Sequence, residues 1–554
     1  MPHWDTSCPD WEDRIIKGES LIPFPPLFPE QAAGSLEVLR ELKIVDAPGS
    51  PTIGESCAQW TDDLAGAIFG ANNPDTGEQL IKEIFLLISK KNSKSTLAAA
   101  IMLTVLIQNW RQSAEFIILA PTKEVADNAY APARDMVKKD PELDAMMQVQ
   151  DHLRTITHLA SGATLKVVAA DTNTVGGKKA AVVLVDEIHL FGANPKAESM
   201  LLEATGGLAS RPEGFVIYLT TQSDAPPAGV FKSKLLYARK VRDGVVKDPQ
   251  FLPVLYEFPK AMVESKAYLE PENFYITNPN LGYSVSQAYL ERGLRKAQET
   301  GEPETLGFLA KHLNVEIGMS LRSDRWAGAD YWAETADTTL SLKQLIERSE
   351  VIDIGIDGGG LDDLLGLTIV GRCKTTRDWL TWSKAWAHPS VLTRHKQEAA
   401  RFQDFERDRD LVLVTRIGDD VAEVGDICEE IYASGLLDKI GVDQSGIGAI
   451  YDELMIRQIP EDKIVGVSQG WKLGGAIKTA ERKIAEGKIK HAGQPLMAWC
   501  VGNARVEPRA NSIMITKQAS GSAKIDPLMA FFNAVTLMAL DPPAAHKKFD
   551  MFFI

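Results

Sequence analysis

The chain contains little cysteine, only five residues in 554, and no two of them stand in a Cys-x-x-Cys spacing. Neither a zinc site of the ribbon or finger type nor a disulfide framework is therefore indicated. A reducing compartment fits this cysteine usage best. The five residues are Cys8, Cys57, Cys373, Cys428 and Cys500.

Long apolar runs are also missing. The longest, at residues 97–107, contains a threonine and is much shorter than the roughly 20 residues that cross a bilayer. Residues 1–16 lack the basic-then-apolar layout of a signal peptide. We therefore expect a soluble protein without a membrane partner.

A general excess of positive charge is absent as well. Lys and Arg number 60 against 75 Asp and Glu, so the formal net charge is -15. This balance argues against a protein that coats nucleic acid with its whole surface, and any such contact must be local. One locally basic stretch, residues 478–491, could follow a phosphate backbone.

What is present is the composition of a large globular protein, 45% hydrophobic and 24% charged, whose length favours two or three domains. Residues 1–58 are rich in Pro and Gly and predict an irregular leader, with one helix near residues 32–42. In 59–225, a first helix near 59–69 precedes apolar runs between helices, which predict a buried parallel sheet. Residues 226–350 predict a largely helical lid or linker. In 351–554, three successive strands and then alternating helices and strands predict a mixed α/β domain.

A short polar loop joins the first apolar strand, IFLLI, to a helix. Backbone amides at the start of such a helix can cradle phosphates, while a lysine reaches the β- and γ-oxygens and a serine binds Mg²⁺. The GxxxxGK[ST] pattern is incomplete, because Ile88 and Ser93 occupy its glycine positions. A basic loop ahead of a core helix is the alternative. The candidate nucleotide-binding residues are Lys90, Lys91, Asn92, Ser93, Lys94, Ser95 and Thr96.

A second element of the same chemistry is the pair Asp186 and Glu187, which follows the apolar run AAVVLV. An aspartate at a strand end can hold Mg²⁺ with its water shell, and the following glutamate can deprotonate the attacking water. The next strand ends in TTQSD, where Thr221 and Gln222 would sense the γ-phosphate. The pair supports ATP hydrolysis, although an acidic pair can also cap the next helix. His189 has no partner His or Cys at metal spacing, so we interpret it as structural.

Three aspartates mark a different chemistry in the last segment. Asp357 and Asp443 end apolar strands, and Asp526 opens the final helix. If they converge, they would hold two divalent cations that clamp the attacking and leaving oxygens of a phosphodiester. Asp362 and Asp363 lie just beyond the first strand and could contribute an outer ligand. The pattern predicts a nuclease, although a single strand-end aspartate is commonly a turn or cap residue.

Together these motifs resemble the large terminase subunit of tailed bacteriophages, over roughly residues 59–540. SKKNSKS is similar to the RKNGKS form of the family's Walker A loop, VVLVDEIH resembles its Walker B segment, and TTQS occupies its coupling-motif position. ITNPNLG and FLAKHLN resemble recurrent sequences of its linker region. HAGQPLMAWCVGNARV and AKIDPLMAFFNAV resemble the end of its nuclease.

The resemblance implies an α/β protein with a P-loop ATPase core of the RecA-like (ASCE) type in 59–225 and an RNase H-like nuclease in 351–554. It implies ATP hydrolysis that drives double-stranded DNA into a procapsid, and metal-dependent cutting of concatemeric DNA. The expected cofactors are ATP and Mg²⁺, with Mn²⁺ as an alternative at the nuclease site. By the same analogy Gln59 would recognise adenine.

The expected partners are double-stranded DNA, a small terminase subunit, the portal protein of the procapsid and further copies of this chain. A homo-oligomeric ring, pentameric by the resemblance, would work in the host cytoplasm while docked on the procapsid. Arg239 and Arg242 are candidates for an arginine supplied by a neighbouring subunit in that ring; a solvated basic helix is the alternative.

Two alternatives remain open from the sequence. Asp186, Glu187 and His189 belong to the sequence DEIH, which is typical of DExH helicases. Such a helicase needs a second RecA-like domain, whereas here three strands and the aspartates follow. A structural capsid or portal-binding protein would carry both sets of motifs without using them.

Overall fold

The structure is a computed structural model that describes residues 4–169, 180–318, 325–360, 362–443, 448–509, 512–517 and 524–545. The chain divides into two compact units, Met1–Ile317 and Gly318–Ile554. The division falls inside the stretch predicted as one lid or linker, residues 226–350. The four predicted segments therefore stay a prediction, and each unit is described by itself.

The first unit contains an eight-stranded sheet. Its strands are β1 Glu83–Leu87, β2 Glu115–Ala120, β3 Met147–Gln150, β4 Thr155–His158, β5 Thr164–Ala169, β6 Ala180–Val185, β7 Phe215–Thr220 and β8 Phe251–Leu255. Their order is β3-β4-β5-β2-β6-β7-β1-β8. All neighbours from β5 to β8 are parallel, while β3 and β4 form an antiparallel edge. The parallel-type sheet predicted from the apolar runs is confirmed.

The helices of the first unit include the two expected near residues 32–42 and 59–69. They are α1 Trp11–Lys17, α2 Pro29–Glu41, α3 Ile53–Ser56, α4 Gln59–Phe69, α5 Lys94–Ile107, α6 Lys123–Lys139, α7 Pro141–Met146, α8 Ile188–Phe191, α9 Ala197–Gly206, α10 Gly229–Arg242, α11 Lys260–Glu264, α12 Gln287–Thr300 and α13 Glu302–Leu313. Helix α5 is buried along most of its length. Its run of alanines and aliphatic residues is therefore core sequence, which explains why it is the longest apolar stretch of the chain.

Strand β8 was not expected in a region predicted as mainly helical. It pairs parallel with β1 and is fully buried, and helix α10 packs against it. Pro253 inside β8 has no amide hydrogen to donate, which is tolerated because β8 is the last strand of the sheet. The sheet of the first unit therefore extends beyond the predicted boundary at residue 225.

The second unit contains a seven-stranded mixed sheet and a two-stranded hairpin. The strands are β9 Ser349–Gly358, β10 Leu365–Cys373, β11 Trp379–Ala387, β12 Leu411–Leu413, β13 Leu437–Asp443, β14 Ile464–Val467, β15 Ile489–His491, β16 Ala504–Arg509 and β17 Ser512–Lys517. Strands β9, β10 and β11 form an antiparallel meander. Strand β13 pairs parallel with β9, and β14 pairs parallel with β13. The predicted meander, mixed sheet and terminal hairpin, β16 with β17, are confirmed.

The second unit has nine described helices. They are α14 Ala329–Trp332, α15 Leu342–Arg348, α16 Ser390–Arg394, α17 Ala399–Arg407, α18 Asp419–Ala433, α19 Gly448–Ile456, α20 Gly474–Ala485, α21 Pro495–Asn503 and α22 Asp526–Met538. Helix α22 lies against β9 so closely that a Cβ at Gly355 would stand 1.8 Å from the Ala530 carbonyl oxygen. Only glycine fits there, and this contact places the start of α22 beside the end of β9. In the part of the chain that the structure describes, no helix is long and apolar enough to cross a membrane.

Candidate active sites

The candidate phosphate loop connects β1 to α5 without a glycine. Lys91 (φ 72°) and Ser93 (φ 58°) both adopt the left-handed backbone region, which non-glycine residues enter at a cost of roughly 1–2 kcal/mol each. Helix α5 begins directly after Ser93. Its first amides have no partners within the helix and provide donors for an anion.

The structure brings the two predicted halves of the ATPase site together. Lys94 Nζ lies 2.7 Å from Glu187 Oε1, and both side chains are less than a tenth exposed. One residue further along α5, Ser95 Oγ lies 3.4 Å from Asp186 Oδ2. These contacts join the start of α5 to the end of β6, although 91 residues separate Ser95 from Asp186 in the chain.

Burial and charge act differently on the two carboxylates. Burial, reinforced by the charge of Glu187, raises the pKa of Asp186 to about 6, against the opposing effect of Lys94. Burial also disfavours ionisation of Glu187, but the Lys94 ammonium and His189 outweigh it and hold the pKa of Glu187 well below its usual range. Glu187 is therefore ionised at neutral pH, and it becomes a stronger base only when Lys94 moves away from it.

His189 contacts the candidate site in a way that motif spacing did not reveal. Its Nδ1 lies 3.2 Å from Glu187 Oε2 and 3.2 Å from Thr220 Oγ1 at the end of β7. The ring also packs edge-on against Phe231. Two positions after the acidic pair, His189 thus reaches back to Glu187, because Glu187 takes the left-handed conformation (φ 53°) and reverses the chain.

The predicted γ-phosphate sensors are buried beside β7. Thr221 Oγ1 donates to the carbonyl oxygen of Gln222. The Gln222 amide donates to Asn314 Oδ1, and Gln222 Nε2 lies 3.5 Å from Glu257 Oε1. Among the described contacts, Thr220, the residue before Thr221, contacts His189, and His189 in turn contacts Glu187 of the acidic pair.

The other residues predicted to contact the nucleotide differ in their solvent exposure. Gln59 is exposed at the start of α4 and donates to Asp63 of the same helix, and the described hydrogen bonds do not join its side chain to the loop. Lys91 is exposed, Lys90 and Thr96 are half-buried, and Asn92 is fully buried.

The two arginines considered as trans-acting candidates are held within the first unit. Arg239 forms ion pairs with Glu257 and, at 2.6 Å, with Glu316. Arg242 Nη1 lies 2.8 Å from Glu257 Oε2, and its guanidinium stacks on Trp11 at 4.0 Å. Both arginines compensate the buried carboxylate of Glu257, and their role toward a neighbouring subunit stays a prediction.

In the second unit, three strand and helix ends bring the predicted nuclease aspartates to one edge of the sheet. Asp357 is the penultimate residue of β9, and Asp443 ends the parallel neighbour β13. Asp526 opens α22. A Cβ built on Gly358 would lie 3.1 Å from Asp526 Oδ1. Glycine at this position therefore leaves room for the Asp526 carboxylate beside the end of β9.

The electrostatics show that these carboxylates are neighbours. Burial, with the charges of Asp443 and Asp363, raises the pKa of Asp357 to about 7. Burial, with Asp363 and Asp357, raises the pKa of Asp526 well above its usual range, and Asp526 Oδ2 is buried without a hydrogen-bond partner. Mutually repelling carboxylates with an unsatisfied oxygen are a donor set suited to hard divalent cations.

Asp363 is placed differently from a simple outer ligand, because Lys524 Nζ lies 2.8 Å from its Oδ1. Lys524 is almost fully buried and stands two residues before Asp526. Asn533 was also missed. It follows Asp526 by seven residues on the same face of α22, donates to the Ile356 carbonyl oxygen at 2.9 Å and stabilises ionised Asp357.

Among the described residues, no three His, Cys, Asp or Glu side chains stand close enough together to form a ready ion-binding group. Asp443 directly precedes residues 444–447, which lie outside the described ranges. The donor type and the mutual repulsion of the aspartates fit divalent cations, whereas the positions of their side chains do not yet form a complete coordination shell.

Two family models match the chain. The ATPase domain of the terminase large subunit matches residues 59–226, and its endonuclease domain matches residues 254–541. The chain belongs to the terminase large subunit family.

Two relatives of this large subunit come from phages. It is 22% identical to the terminase large subunit of Enterobacteria phage HK97 over 455 residues, which cover 80% of this chain and 82% of the relative. It is 23% identical to that of Lactococcus phage p2 over 480 residues, 83% of each chain. Among solved structures, the HK97 large terminase aligns with a TM-score of 0.47 and 20% identity, covering 92% of this chain and 99% of that one.

This terminase large subunit is thus an ATPase and an endonuclease of a phage DNA-packaging motor that cuts concatemeric DNA. Both activities imply the use of a nucleotide and of divalent metal ions. The helicase alternative is wrong, because the second unit contains a mixed sheet within the endonuclease match. The chain matches both an ATPase and an endonuclease domain, which argues against a purely structural protein.

Proposed function

We propose that the first unit of this large subunit binds ATP with Mg²⁺ between the phosphate loop and the acidic pair. The observation that carries the proposal is the double contact of Lys94 with Glu187 and of Ser95 with Asp186. Two neighbouring residues of a helix start meet two neighbouring carboxylates at a strand end, which is the arrangement that P-loop chemistry needs.

In this proposal Lys94 leaves Glu187 and binds the β- and γ-phosphates. Ser95 and Asp186 would hold Mg²⁺. Glu187, ionised at neutral pH, orients the attacking water and takes its proton. The other predicted contacts stay predictions; they are Gln59, Lys90, Lys91, Asn92, Ser93, Thr96, Thr221 and Gln222.

The test is ATP hydrolysis by the full chain with Lys94→Ala. We expect a loss of at least about 100-fold, because a buried, fixed positive charge at the phosphates is removed. Lys260→Ala is the matched control, since the Lys260 side chain is 87% exposed and pairs only with Glu264 among the described ion pairs. Hydrolysis by Lys94→Ala within tenfold of the unmodified protein would reject the assignment.

For the second unit we propose that Asp357, Asp443 and Asp526 hold the divalent cations of the endonuclease, with Asp363 close enough to contribute. The buried, unpartnered Asp526 Oδ2 supports this, because a buried carboxylate oxygen without a donor is costly unless a cation is supplied. Bound Mg²⁺ or Mn²⁺ would supply charge to stabilise both the attacking and the leaving oxygen of the phosphodiester.

Plasmid cleavage in Mg²⁺ or in Mn²⁺ tests this site. We expect Asp526→Asn to abolish cleavage, and a chelator to do the same for the unmodified protein. Asp452→Asn, an exposed aspartate of α19, is the control and should cleave normally. Cleavage by Asp526→Asn at the control rate would show that the site lies elsewhere.

We further propose that the chain works in the host cytoplasm as a homo-oligomeric ring, pentameric by family resemblance, on double-stranded DNA. A small terminase subunit would select the site, and the portal protein of a procapsid would receive the complex. The family membership supports these partners. The mass of complexes formed with a portal, DNA and a non-hydrolysable ATP analogue tests them, and a chain that stays monomeric throughout would contradict the ring.

A further inference from the structure

Three fully buried asparagines connect the phosphate loop to a stretch that lies far away in the sequence. Asn92 is in the loop, and Asn278 and Asn280 belong to the segment 274–284; all three are 0% exposed. This segment falls within the match to the endonuclease domain, residues 254–541, yet it belongs to the first unit together with the loop.

Both polar ends of the Asn92 side chain are occupied by this segment. Asn92 Nδ2 donates to Asn278 Oδ1 at 2.8 Å, and the backbone N–H of Asn280 donates to Asn92 Oδ1 at 3.0 Å. Asn92 Nδ2 also donates to the Ser89 carbonyl oxygen at 3.1 Å. The side chain of Asn92 is therefore directed inward and anchors the middle of the loop.

The remaining loop residues are held from the same side. Ser284 Oγ donates to the Lys91 carbonyl oxygen at 2.6 Å, and Asn280 Nδ2 lies 3.5 Å from Ser93 Oγ. The Lys90 amide donates to the Lys311 carbonyl oxygen of α13 at 2.7 Å. Each residue from Lys90 to Ser93 thus has a contact with 278–284 or with α13.

The two asparagines are themselves fixed in place. Asn278 Nδ2 donates to the carbonyl oxygens of Phe274 and His312, each at 3.0 Å. Asn280 Oδ1 accepts from the Ala58 amide at 3.0 Å and from Trp60 Nε1 at 3.3 Å. The side-chain amides of Asn278 and Asn280 cannot rotate without breaking several buried hydrogen bonds, so the two side chains form a rigid support for the loop.

The loop needs such a support because Lys91 and Ser93 are left-handed without being glycine. We propose that Asn278 and Asn280 are positioning residues of the ATPase site. They hold the loop, through Asn92 and Ser93, in the conformation that presents its amides and Lys94 to the phosphates of ATP. The proposal rests on the assignment of the phosphate loop made above, and it extends the ATPase site into the segment 274–284.

Steady-state ATP hydrolysis by the full chain tests the proposal through Asn278→Ala and Asn280→Ala. Asn278→Ala removes the hydrogen bond to Asn92, and Asn280→Ala removes the side-chain contacts with Ser93 and Ser284 but keeps its backbone N–H bond to Asn92. We expect KM for ATP to rise about two- to tenfold per variant, the range of about one hydrogen bond, while kcat changes less than twofold. The loop acts equally on bound ATP and on the transition state, so its loss appears in KM. A merely structural role would instead reduce the folded fraction, which lowers apparent kcat and leaves KM unchanged.

Asn273→Ala is the matched control. Asn273 lies five residues before Asn278 in the 3-10 turn Pro271–Ile276 and donates to the Ala267 carbonyl oxygen and to Glu270, so its removal should leave KM unchanged. Should the buried alanine variants fail to fold, Ser284→Ala replaces them, because Ser284 is exposed and still contacts Lys91. It should raise KM about twofold or more.

A double-mutant cycle adds a check on the mechanism. Asn92→Ala combined with Asn278→Ala should raise KM by less than the product of the two single changes, because both remove the hydrogen bond between Asn92 and Asn278. Unchanged KM in the variants of Asn278, Asn280 and Ser284, or strictly multiplicative effects in the cycle, would overturn the proposal.

Lys94→Ala separates this proposal from the one on which it rests. If Lys94→Ala abolishes hydrolysis while the asparagine variants keep a normal KM, only the positioning role is refuted. If Lys94→Ala hydrolyses ATP normally, the phosphate-loop assignment fails and the positioning role fails with it.

Discussion

The ion pair between Lys94 and Glu187 leads to a prediction with two opposite effects in one variant. In the structure Lys94 Nζ is held 2.7 Å from Glu187 Oε1 in a buried environment. ATP must therefore compete with Glu187 for the lysine. The variant Glu187→Gln keeps the shape of the side chain, removes its negative charge and makes it unable to accept a proton.

The magnitude follows from the difference between two kinds of hydrogen bond. A bond to a charged group contributes about 1.5–3 kcal/mol and a neutral bond about 0.5–1.5 kcal/mol. Glu187→Gln should lower the cost of releasing Lys94 by about 1–1.5 kcal/mol, which corresponds to roughly five- to tenfold tighter ATP binding. Hydrolysis should fall at least about 100-fold, because the base is lost.

Equilibrium titration with a fluorescent ATP analogue and steady-state hydrolysis measure the two effects in the same preparation. Glu203→Gln, an exposed position on α9, is the control and should change neither. If Glu187→Gln binds the analogue more weakly than the control, the ion pair does not oppose binding. If it hydrolyses ATP within tenfold of the control, Glu187 is not the base.

Three further predictions concern stability and the nuclease. Arg242→Ala should lower the free energy of unfolding by about 3 kcal/mol in urea titrations, because the buried Glu257 loses one of its two arginines. Asp357→Asn should abolish plasmid cleavage in Mg²⁺ and Mn²⁺ while ATP hydrolysis stays within twofold, because Asp357 belongs to the second unit. Burial and nearby lysines lower the pKa of His312 from 6.5 to about 4. The unfolded chain thus binds a proton first as the pH falls, so stability should decrease by up to about 3 kcal/mol between pH 6.5 and 4. His312→Phe, which can keep the stacking on Phe308, should remove that decrease.

A specific result would contradict each of these three predictions. An Arg242→Ala protein of normal stability that loses ATPase activity only in the assembled ring would restore the arginine as a trans-acting residue. Cleavage by Asp357→Asn would remove it from the nuclease site. An equal loss of stability in His312→Phe between pH 6.5 and 4 would assign the titration to other groups.

Much of the architecture could be predicted from local patterns. Continuous apolar runs indicated the parallel strands β1, β2, β6 and β7, because strands covered on both faces need no polar side. Strand β8 escaped this reasoning, since Pro253 argues against a strand unless the strand lies at an edge. Whether a strand is at an edge is decided by its neighbours and cannot be read from the segment alone.

The candidate residues of both sites were predictable because chemistry restricts residue type locally. A lysine and serine at a helix start, carboxylates at strand ends and an aspartate at the start of the last helix are visible in the sequence. Lys94, Glu187, Asp357 and Asp526 were therefore identified before their positions were known. The partners of these residues were not, because a hydrogen bond between Asn92 and Asn278 spans 186 residues and leaves no periodic signal.

The sequence by itself determined the family, the two chemistries and much of the succession of strands and helices along the chain, since these depend on local residue type and spacing. Tertiary structure alone decided that Lys94 is paired with Glu187, that Arg239 and Arg242 are bound to Glu257, and that a segment matched to the endonuclease supports the phosphate loop. Those outcomes depend on which distant side chains share a buried, low-dielectric space, where an unpaired polar group is costly. Folding brings side chains that are distant in the sequence into contact, and no local sequence pattern predicts which of them will pair.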